Sequence, residues 1–414
     1  TLKVVMNSSN PSLDSQRILV FITAEYPFGK QETFIEDEIN FLSDAFDQVI
    51  VLPKNTPGPP RKMPKNCTIG TPFAQRSRPR NMALFWNEML NLRGHLTRTK
   101  IAYRSWQGVG RRAAQIKASV HEVKGEIIYY SYWLDEGAVA IAQLGQSEGH
   151  LAVSRAHGWD VYPERHPHKY LPFRRFLSTS PLSVFPISND GLSALKRQGF
   201  QNLKCSYLGT NFSKKSISIG DEQNPQQKIL VSVSSIIELK RVQRIAEIFL
   251  QLKALDPSWE WHHFGDGPLE GVLRIWLEGK ATESYYLHGR QSNKTVREWL
   301  FNHKDIALFI NQSTTEGLPV SMMEAMSYGI PCVGTEVGGV SEIITHKHNG
   351  LLHKADENTE QVAMDISQIE SAHFVAMRKC ARITWEKSFD AEKNYKGFIK
   401  ELTTLSRATP LHKV

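Results

Sequence analysis

Residues 305–339 read DIALFINQSTTEGLPVSMMEAMSYGIPCVGTEVGG, and their order predicts one complete unit of a parallel sheet. The apolar run 306–310 is typical of a strand buried on both faces, and the polar segment 312–317 predicts a turn after it. Pro319 suits the first position of a helix, which Gly329 and Pro331 end about three turns later. Residues 331–334 predict the next strand. Such a unit implies parallel strands joined by a right-handed crossover.

Two glutamates mark the ends of a predicted ligand site in this unit. Ligands of open parallel sheets bind beyond the carboxyl ends of the strands, where Glu316 and Gly317 lie. Uncommitted N–H groups at the helix start favour an anion such as phosphate, and they belong to Leu318, Val320 and Ser321. Glu324 lies near the second turn of the helix, and a second carboxylate beside phosphate is favourable only if the ligand also carries hydroxyls. The unit therefore predicts a ligand with phosphate and ribose or sugar hydroxyls. The alternative is an ordinary nucleotide-binding unit in which one glutamate caps the helix and the other is solvated on its surface.

Length and composition favour two domains of ordinary size, since the chain has 414 residues, of which 41% are apolar and 22% charged. Four scattered cysteines without a C-x-x-C pair argue against a zinc site or disulfide framework and fit a reducing compartment. No apolar run reaches bilayer length, and residues 1–17 lack a signal-peptide pattern. We therefore expect a cytoplasmic protein, with the inner face of the membrane as a second, peripheral location.

The net charge of +8 is concentrated in residues 61–117. This stretch holds thirteen Lys or Arg and a single acid, Glu88, so the rest of the chain is net acidic. Its large apolar side chains on predicted helices are Phe85, Trp86, Leu90, Tyr103 and Trp106. Basic and aromatic residues together are typical of surfaces that face anionic lipid or nucleic acid. Because no nucleic-acid motif accompanies them, we expect an anionic membrane surface as a partner and no nucleic acid; the alternative is a solvated basic helix pair.

The first half of the chain predicts further strands with polar loops at their carboxyl ends. Arg17–Thr23 is a strand of buried type, residues 32–42 form an amphipathic helix, and residues 48–52 form the next strand. In the loop between strand and helix, Gly29 lets the backbone approach a ligand closely. Gly29 and Lys30 are not part of a P-loop, because the earlier glycine and the later Ser or Thr are missing.

His157 and Asp160 follow a predicted strand at residues 151–154. An imidazole in this position can donate to a phosphate oxygen or a sugar hydroxyl, whereas the plain interpretation is a hydrogen-bonded loop histidine. Residues 162–176 are rich in His, Pro and Arg without metal-site spacing, and we interpret them as an acceptor-side loop. We place Gly29 and Asp160 on the acceptor side as well.

A second series of strands begins at Lys228–Val233, after a polar run at residues 213–227 that predicts a linker. We expect an N-terminal domain over residues 15–210, completed by residues 385–414, and a C-terminal domain over residues 211–384. Two similar α/β halves in tandem imply a cleft between them.

The spacing of Glu316 and Glu324, with the segments EAMSYGIPCVGTEVGGVSEII and HNGLL, resembles the signature of the retaining family-4 glycosyltransferases of GT-B fold. The resemblance is strong over residues 231–352, loose over the first half and absent from residues 61–117. It implies an α/β protein with two Rossmann-like domains whose parallel sheets face across a cleft. It also implies a C-terminal helix that crosses back to the first domain.

The resemblance also implies site roles. Glu316 contacts donor-sugar hydroxyls, Glu324 the ribose hydroxyls, Lys240 the diphosphate and His157 the sugar or the phosphate. The catalytic candidates are Glu316, His157 and Lys240, and the donor-binding candidates are Glu324, Ser235, Gly265, Arg290, Gly317, Leu318 and Val320.

One position departs from the family pattern. Ser235 stands five residues before Lys240, where the family has an arginine, and a hydroxyl supplies no charge to the diphosphate. We expect Arg241, Arg244 or Arg290 to compensate.

The sequence thus predicts a retaining transferase that moves a sugar from a nucleoside-diphosphate sugar to a hydroxyl of a saccharide or lipid-linked acceptor, in surface polysaccharide or glycolipid synthesis. No Asp-x-Asp cluster follows a predicted strand, so we expect no metal and no cofactor. Cationic side chains and a helix N-terminus then stabilise the leaving diphosphate. A sugar-nucleotide 2-epimerase and a phosphorylase keep the same architecture, and Ser235 leaves a non-catalytic nucleotide-sugar binder open.

Overall fold

A computed structural model describes residues 16–73, 81–92, 94–211, 228–280 and 284–408. The chain forms two compact units, the first from residues 1–187, 192–206 and 395–414, the second from residues 188–191 and 207–394. The domain boundaries expected after residues 210 and 384 stay a prediction, and the linker expected at residues 213–227 lies outside the described residues.

The first unit contains a parallel six-stranded sheet in the order β3-β2-β1-β4-β5-β6. Its strands are β1 (Arg17–Thr23), β2 (Gln48–Pro53), β3 (Cys67–Ile69), β4 (Glu126–Ser131), β5 (Leu151–Ala156) and β6 (Ser183–Pro186). The helices that accompany them are α1 (Ile35–Ala45), α2 (Met82–Leu92), α3 (Leu96–Val120), α4 (Glu136–Glu148), α5 (Arg174–Thr179) and α6 (Asn189–Arg197). The inner strands are mostly apolar and almost entirely buried because helices cover both faces of the sheet.

The second unit repeats this topology, with its own parallel sheet in the order β12-β11-β10-β7-β8-β9. Its strands are β7 (Lys228–Val233), β8 (Trp259–Phe264), β9 (Tyr285–Leu287), β10 (Ile306–Asn311), β11 (Cys332–Thr335) and β12 (Gly350–His353). Its helices are α7 (Val242–Leu255), α8 (Glu270–Glu278), α9 (Asn293–Asn302), α10 (Val320–Ser327), α11 (Val340–Ile343), α12 (Thr359–Ser367) and α13 (Ser371–Ser388). In each unit the first and fourth strands lie side by side, so the strand order reverses there, as in doubly wound sheets that bind nucleotides.

The unit predicted over residues 305–339 is confirmed as β10, α10 and β11. Helix α10 has eight residues, about two turns instead of three, because Pro319 precedes it as the N-cap and the chain turns at Gly329 with a φ of 67°. Helix α1 begins three residues later than expected, since Glu32 has a left-handed backbone with a φ of 53°. Strand β3 was not predicted because it is a three-residue edge strand with only Cys67 buried.

The last helix, α14 (Ala391–Ala408), returns the chain to the first unit, as predicted. Phe398 and Leu402 are buried in the apolar cluster that also contains residues of α1, and the Tyr395 ring lies 5.5 Å from that of Phe41. A wholly buried guanidinium, that of Arg155, stacks on Phe398 at 4.1 Å. Thus α14 completes the core of the first unit.

Candidate active site

Glu316, in the loop after β10, is a buried carboxylate held by three side chains. It is 7% exposed, and its Oε1 accepts from Lys240 Nζ at 2.5 Å, Ser313 Oγ at 2.6 Å and Asn311 Nδ2 at 3.0 Å. Burial alone would raise the pKa of Glu316, but the charge of Lys240 and these hydrogen bonds outweigh burial and hold the pKa below its ordinary value. The structure therefore pairs two of the predicted catalytic candidates, one as an anion and the other as a cation.

Arg241, the residue after Lys240, holds the backbone of the same loop. Its Nε donates to the carbonyl oxygen of Gln312 at 2.5 Å, its Nη2 to that of Ser313 at 3.4 Å and its Nη1 to that of Ala355 at 2.7 Å. Arg241 has a left-handed backbone, with a φ of 46°, which is costly for a residue with a side chain. Lys240 thus binds the carboxylate of the loop, and Arg241 binds its main chain.

Arg244 is engaged in the same region. Its Nε donates to Gln312 Oε1 at 3.1 Å, and its Nη2 donates to the carbonyl oxygen of Glu357. Both guanidinium groups bind protein oxygens, and the expectation that Arg241 or Arg244 replaces the missing family arginine stays a prediction.

Two glycines after β11 pack against the main chain of the loop that contains Glu316. A Cβ at Gly338, where φ is 52°, would lie 1.9 Å from the carbonyl oxygen of Glu316, and one at Gly339 would lie 2.4 Å from that of Gly317. The Gly339 N–H donates to the same Gly317 oxygen at 3.0 Å. Only glycine allows this approach, which fixes the main chain on either side of the Glu316 side chain.

The N–H groups at the start of α10 can donate hydrogen bonds to an anion. Within the described residues, the N–H groups of Leu318, Val320 and Ser321 donate to no protein acceptor, whereas that of Met322 bonds to Pro319 at 3.1 Å. Glu324 is 4% exposed on the second turn of this helix. These are the groups that the sequence assigned to a phosphate and to hydroxyls, and their donor-binding roles stay a prediction.

The turns after β7 and β8 touch through their main chains. A Cβ at Gly265, where φ is 148°, would lie 1.8 Å from the carbonyl oxygen of Ser234. Ser235 follows at the exposed edge of this contact. Arg290, after β9, places Nη1 3.8 Å from Asp266 Oδ1. The structure therefore groups Ser235, Gly265 and Arg290 at one end of the second sheet, as their positions after neighbouring parallel strands predict.

In the first unit, His157 directly follows β5 and is 7% exposed. The main-chain N–H of His157 donates to Asp160 Oδ1 at 2.5 Å, and the ring Nδ1 lies 3.9 Å from Asp160 Oδ2. The same Oδ2 accepts from the N–H of Leu134 at 2.7 Å. Burial opposes ionisation of Asp160, but its hydrogen bonds with His157 and Leu134 keep its pKa below the ordinary value. Asp160 thus joins the loops after β4 and β5, and its acceptor-side role stays a prediction.

Gly29, the other acceptor-side candidate, has a φ of 66°, and its N–H donates to the carbonyl oxygen of Pro57 at 2.9 Å. The loop around it is also held by Arg61, whose side chain donates to the carbonyl oxygens of Pro27, Phe28 and Gln31. Gly29 therefore occupies a turn that needs glycine and is fixed by protein contacts.

The basic stretch 61–117 is only in part a free surface. Arg61 binds the loop just described, and Arg112 is buried, donating to the carbonyl oxygens of Leu52 and Thr23. The single acid, Glu88, is buried and accepts from the N–H of Phe173 at 3.1 Å. Exposed basic side chains of this stretch are Lys62, Lys65, Lys100, Arg104 and Lys117; residues 74–80 and 93 lie outside the described part.

Helices α2 and α3 carry an exposed apolar face beside these charges. Met82, Trp86 and Leu90 are 45%, 58% and 76% exposed and are spaced four residues apart, so they share one face of α2. Leu96 and Tyr103 of α3 are exposed as well. Trp106 and Phe85, also expected on this surface, instead pack inward with ring centroids 5.0 Å apart. Within the described residues no helix is long and apolar enough to span a bilayer.

Two residues of the site, Asn311 and Ser313, were missed by sequence reasoning, and Arg241 was expected at the diphosphate and not as a support of the loop. Asn311 and Ser313 precede Glu316 by five and three residues in the polar turn, a spacing that lets a loop fold its side chains onto one carboxylate. The role of Arg241 had no local signal, because its partners are distant in sequence.

Known proteins have sequences similar to parts of this chain. Residues 214–384 match the family Glycosyl transferases group 1. The chain is 30% identical to N-acetyl-alpha-D-glucosaminyl L-malate synthase of Bacillus anthracis over 151 residues, 35% of this chain and 36% of the synthase. It is 27% identical to the putative colanic acid biosynthesis glycosyltransferase WcaL of Escherichia coli K12, over 66% of this chain and 67% of WcaL. The chain thus spans about a third of the length of one relative and two thirds of the other.

The fold has a solved counterpart in HepE of Anabaena in complex with UDP-glucose. That structure matches 94% of this chain and 100% of its own, with a TM-score of 0.63 at 15% identity. The family match thus lies in the second unit, and two doubly wound parallel sheets of the same strand order give the chain the GT-B fold.

Proposed function

We propose that this protein is a retaining glycosyltransferase that moves a sugar from a nucleoside-diphosphate sugar to a hydroxyl of a saccharide or lipid-linked acceptor, in the synthesis of a surface polysaccharide or glycolipid. The observation that carries the proposal is the ionised, buried Glu316 held by Lys240, Ser313 and Asn311 beside the N-terminus of α10. The colanic acid transferase among its relatives supports the polysaccharide role.

The donor is a nucleoside-diphosphate sugar bound by the second unit, and the UDP-glucose complex of HepE supports a uridine nucleotide. Glu324 accepts from the ribose hydroxyls, and the free N–H groups at the start of α10 hold the diphosphate. Ser235, Gly265 and Arg290 lie on the nucleotide side. Because cationic and N–H donors are present for the diphosphate, we propose that the reaction needs no metal ion.

Lys240 can contact both Glu316, which binds the reacting sugar, and the leaving diphosphate. Its ammonium has three N–H donors, and the contact to Glu316 uses one of them, so two are available to phosphate oxygens. Glu316 has a second oxygen that can accept from donor-sugar hydroxyls. In the reaction the bond from the anomeric carbon to the phosphate oxygen breaks and a bond to the acceptor oxygen forms on the same face. The acceptor proton passes to the leaving phosphate, whose charge Lys240 stabilises. His157 contacts the sugar or the phosphate.

The first unit docks on an anionic membrane, where a lipid-linked acceptor is presented. The apolar face of α2 inserts between headgroups, while Lys100 and Arg104 on α3 attract the surface. Each such charge contributes about 1 kcal/mol near an anionic leaflet, so the binding is reversible and screened by salt.

The first test is incubation of the protein with a panel of nucleotide sugars, with and without EDTA, followed by NMR of the products. We expect slow hydrolysis of one donor that EDTA leaves unchanged, and transfer with retained configuration once an acceptor is present. A 2-epimer of the sugar nucleotide would instead identify an epimerase, and binding by calorimetry without any turnover would identify a non-catalytic binder.

The second test is sedimentation with vesicles of neutral or anionic lipid. We expect binding to anionic vesicles only, weakened by salt and by Trp86→Ala together with Leu90→Ala. Tyr286→Ala, which removes an exposed aromatic ring in the second unit, is the matched control. Equal binding to both lipids, or none at low salt, contradicts membrane docking.

A further inference from the structure

The turn after β1 contains a buried carboxylate to which the sequence analysis gave no role. Glu32 is 4% exposed. Its Oε2 accepts from the N–H groups of Glu25 at 2.6 Å and Tyr26 at 2.7 Å, and its Oε1 accepts from that of Ala24 at 3.1 Å. Three successive N–H groups at the carboxyl end of a parallel strand form an anion-binding nest. Here the anion is the protein's own side chain.

The fourth donor to Glu32 comes from another strand end. Trp133, two residues after β4, donates its indole N–H to Oε1 at 2.6 Å. The Trp133 ring lies 4.5 Å from the imidazole of His157, which the neighbouring Tyr132 ring approaches at 4.7 Å. A chain of contacts therefore runs from the nest through Glu32 and Trp133 to His157.

The backbone conformation at residue 32 indicates that a glutamate is present there because of what its side chain binds. Its φ of 53° lies in the left-handed region, where glycine or asparagine is less costly than glutamate. Glycine would suit this backbone and leave the nest empty. The position instead carries a side chain long enough to reach three main-chain donors and one indole.

We infer that Glu32 is a positioning residue for His157: its carboxylate occupies the nest after β1 and, through Trp133, holds the imidazole in place. The inference rests on the proposed function for the role of His157, but not for the occupancy of the nest. In this arrangement His157 is held by Glu32 through Trp133 and by Asp160 through a main-chain hydrogen bond.

The test uses the full chain with Glu32→Gly, which suits the backbone and removes the carboxylate, and with Glu32→Gln, which keeps the side-chain length. Asp44→Asn on the exposed side of α1 loses the same charge and is the control. Sodium formate is added as a small carboxylate to refill the nest, against sodium chloride at the same ionic strength. Two quantities are measured: kcat and donor KM for transfer, and the His157 imidazole resonance in histidine-labelled protein, identified with His157→Gln.

We expect Glu32→Gly to lower kcat by on the order of tenfold while donor KM stays within about twofold, because positioning is lost and donor binding is kept. The His157 resonance should shift as Trp133 moves, and formate, but not chloride, should restore both kcat and the resonance. Asp44→Asn should leave both unchanged.

An unchanged kcat and an unchanged His157 resonance in Glu32→Gly would overturn the inference, as would a loss that formate does not reverse. If circular dichroism shows that Glu32→Gly does not fold, the same two measurements are made on Glu32→Gln. A wild-type kcat together with a wild-type His157 resonance in that variant would reject the positioning role. A wild-type protein without transfer activity would reject the proposed function, whereas the resonance shift and its reversal by formate would still test Glu32.

Discussion

The loop after β1 in the first unit and the loop after β10 in the second each hold one buried carboxylate, and the two differ in what binds it. Glu32 accepts from three main-chain N–H groups, which cannot leave without unfolding the turn, and from the indole of Trp133. Glu316 accepts from the side chains of Lys240, Ser313 and Asn311. Side-chain donors can turn toward a ligand, and main-chain donors in a nest cannot. The same chemical group thus serves as a fixed support in one unit and as an exchangeable contact in the other.

The largest expected effect tests the exchangeable carboxylate. Glu316→Gln should lower kcat on the order of a thousandfold, because it removes a preorganised charge from the site of bond breaking while keeping the side-chain shape. Glu298→Gln, on the exposed face of α9, is the control for loss of a carboxylate. Steady-state transfer kinetics measure both variants, and a fall of less than about tenfold for Glu316→Gln would place this carboxylate with Glu32 as a support.

The second effect concerns the cation. Lys240→Met should lower kcat on the order of a hundredfold by removing one donor to the leaving diphosphate. It should also move the acid limb of the pH profile of kcat/KM. In the wild-type protein the pKa of Glu316 lies below its ordinary value of 4.5, so the carboxylate stays ionised under mildly acidic conditions. Without Lys240, burial predominates and raises that pKa, so activity should be lost at a higher pH than in the wild type. An acid limb at the wild-type position would show that Lys240 does not set the charge of Glu316.

A smaller effect separates the two glutamates of the second unit. Glu324→Ala should weaken binding of the nucleoside diphosphate by about tenfold, the size expected for a charge-assisted hydrogen bond to a hydroxyl. Glu316→Gln should leave the affinity for the sugar-free nucleotide nearly unchanged. Calorimetry with UDP measures both, and equal affinities for Glu324→Ala and the wild type would remove Glu324 from the ribose site.

The smallest expected effect concerns the support of the exchangeable loop. Arg241→Lys should lower kcat by a few-fold with little change in donor KM, because a lysine cannot reproduce the three bonds to separate carbonyl oxygens. Arg274→Lys, on the exposed side of α8, is the control. A larger rise in donor KM than fall in kcat would indicate that Arg241 contacts the donor itself.

The sequence by itself determined the parallel units, the two-part organisation and the resemblance to a glycosyltransferase family, because buried strands, glycine turns and proline positions are local signals. It also placed Glu316, Lys240, Gly265 and His157 in loops at strand ends. Positions next to strand ends in one parallel sheet converge at one edge, so the placement of Glu316 follows from pattern, whereas Lys240 and Gly265 were given by the resemblance.

Only the tertiary structure decided what each charge binds. Arg112 and Arg61 counted as surface charges in the sequence, but long-range contacts bury one and engage the other with loop carbonyls. Glu32 looked like the start of an amphipathic helix, and the left-handed turn that aims it at three N–H groups became visible only with the loop folded. Partners of this kind are far apart in the chain, as Trp133 is from Glu32, and the spacing of residues carries no record of them. Charge and hydrogen-bond partners are therefore properties of the folded chain, whereas strands and turns are properties of its local sequence.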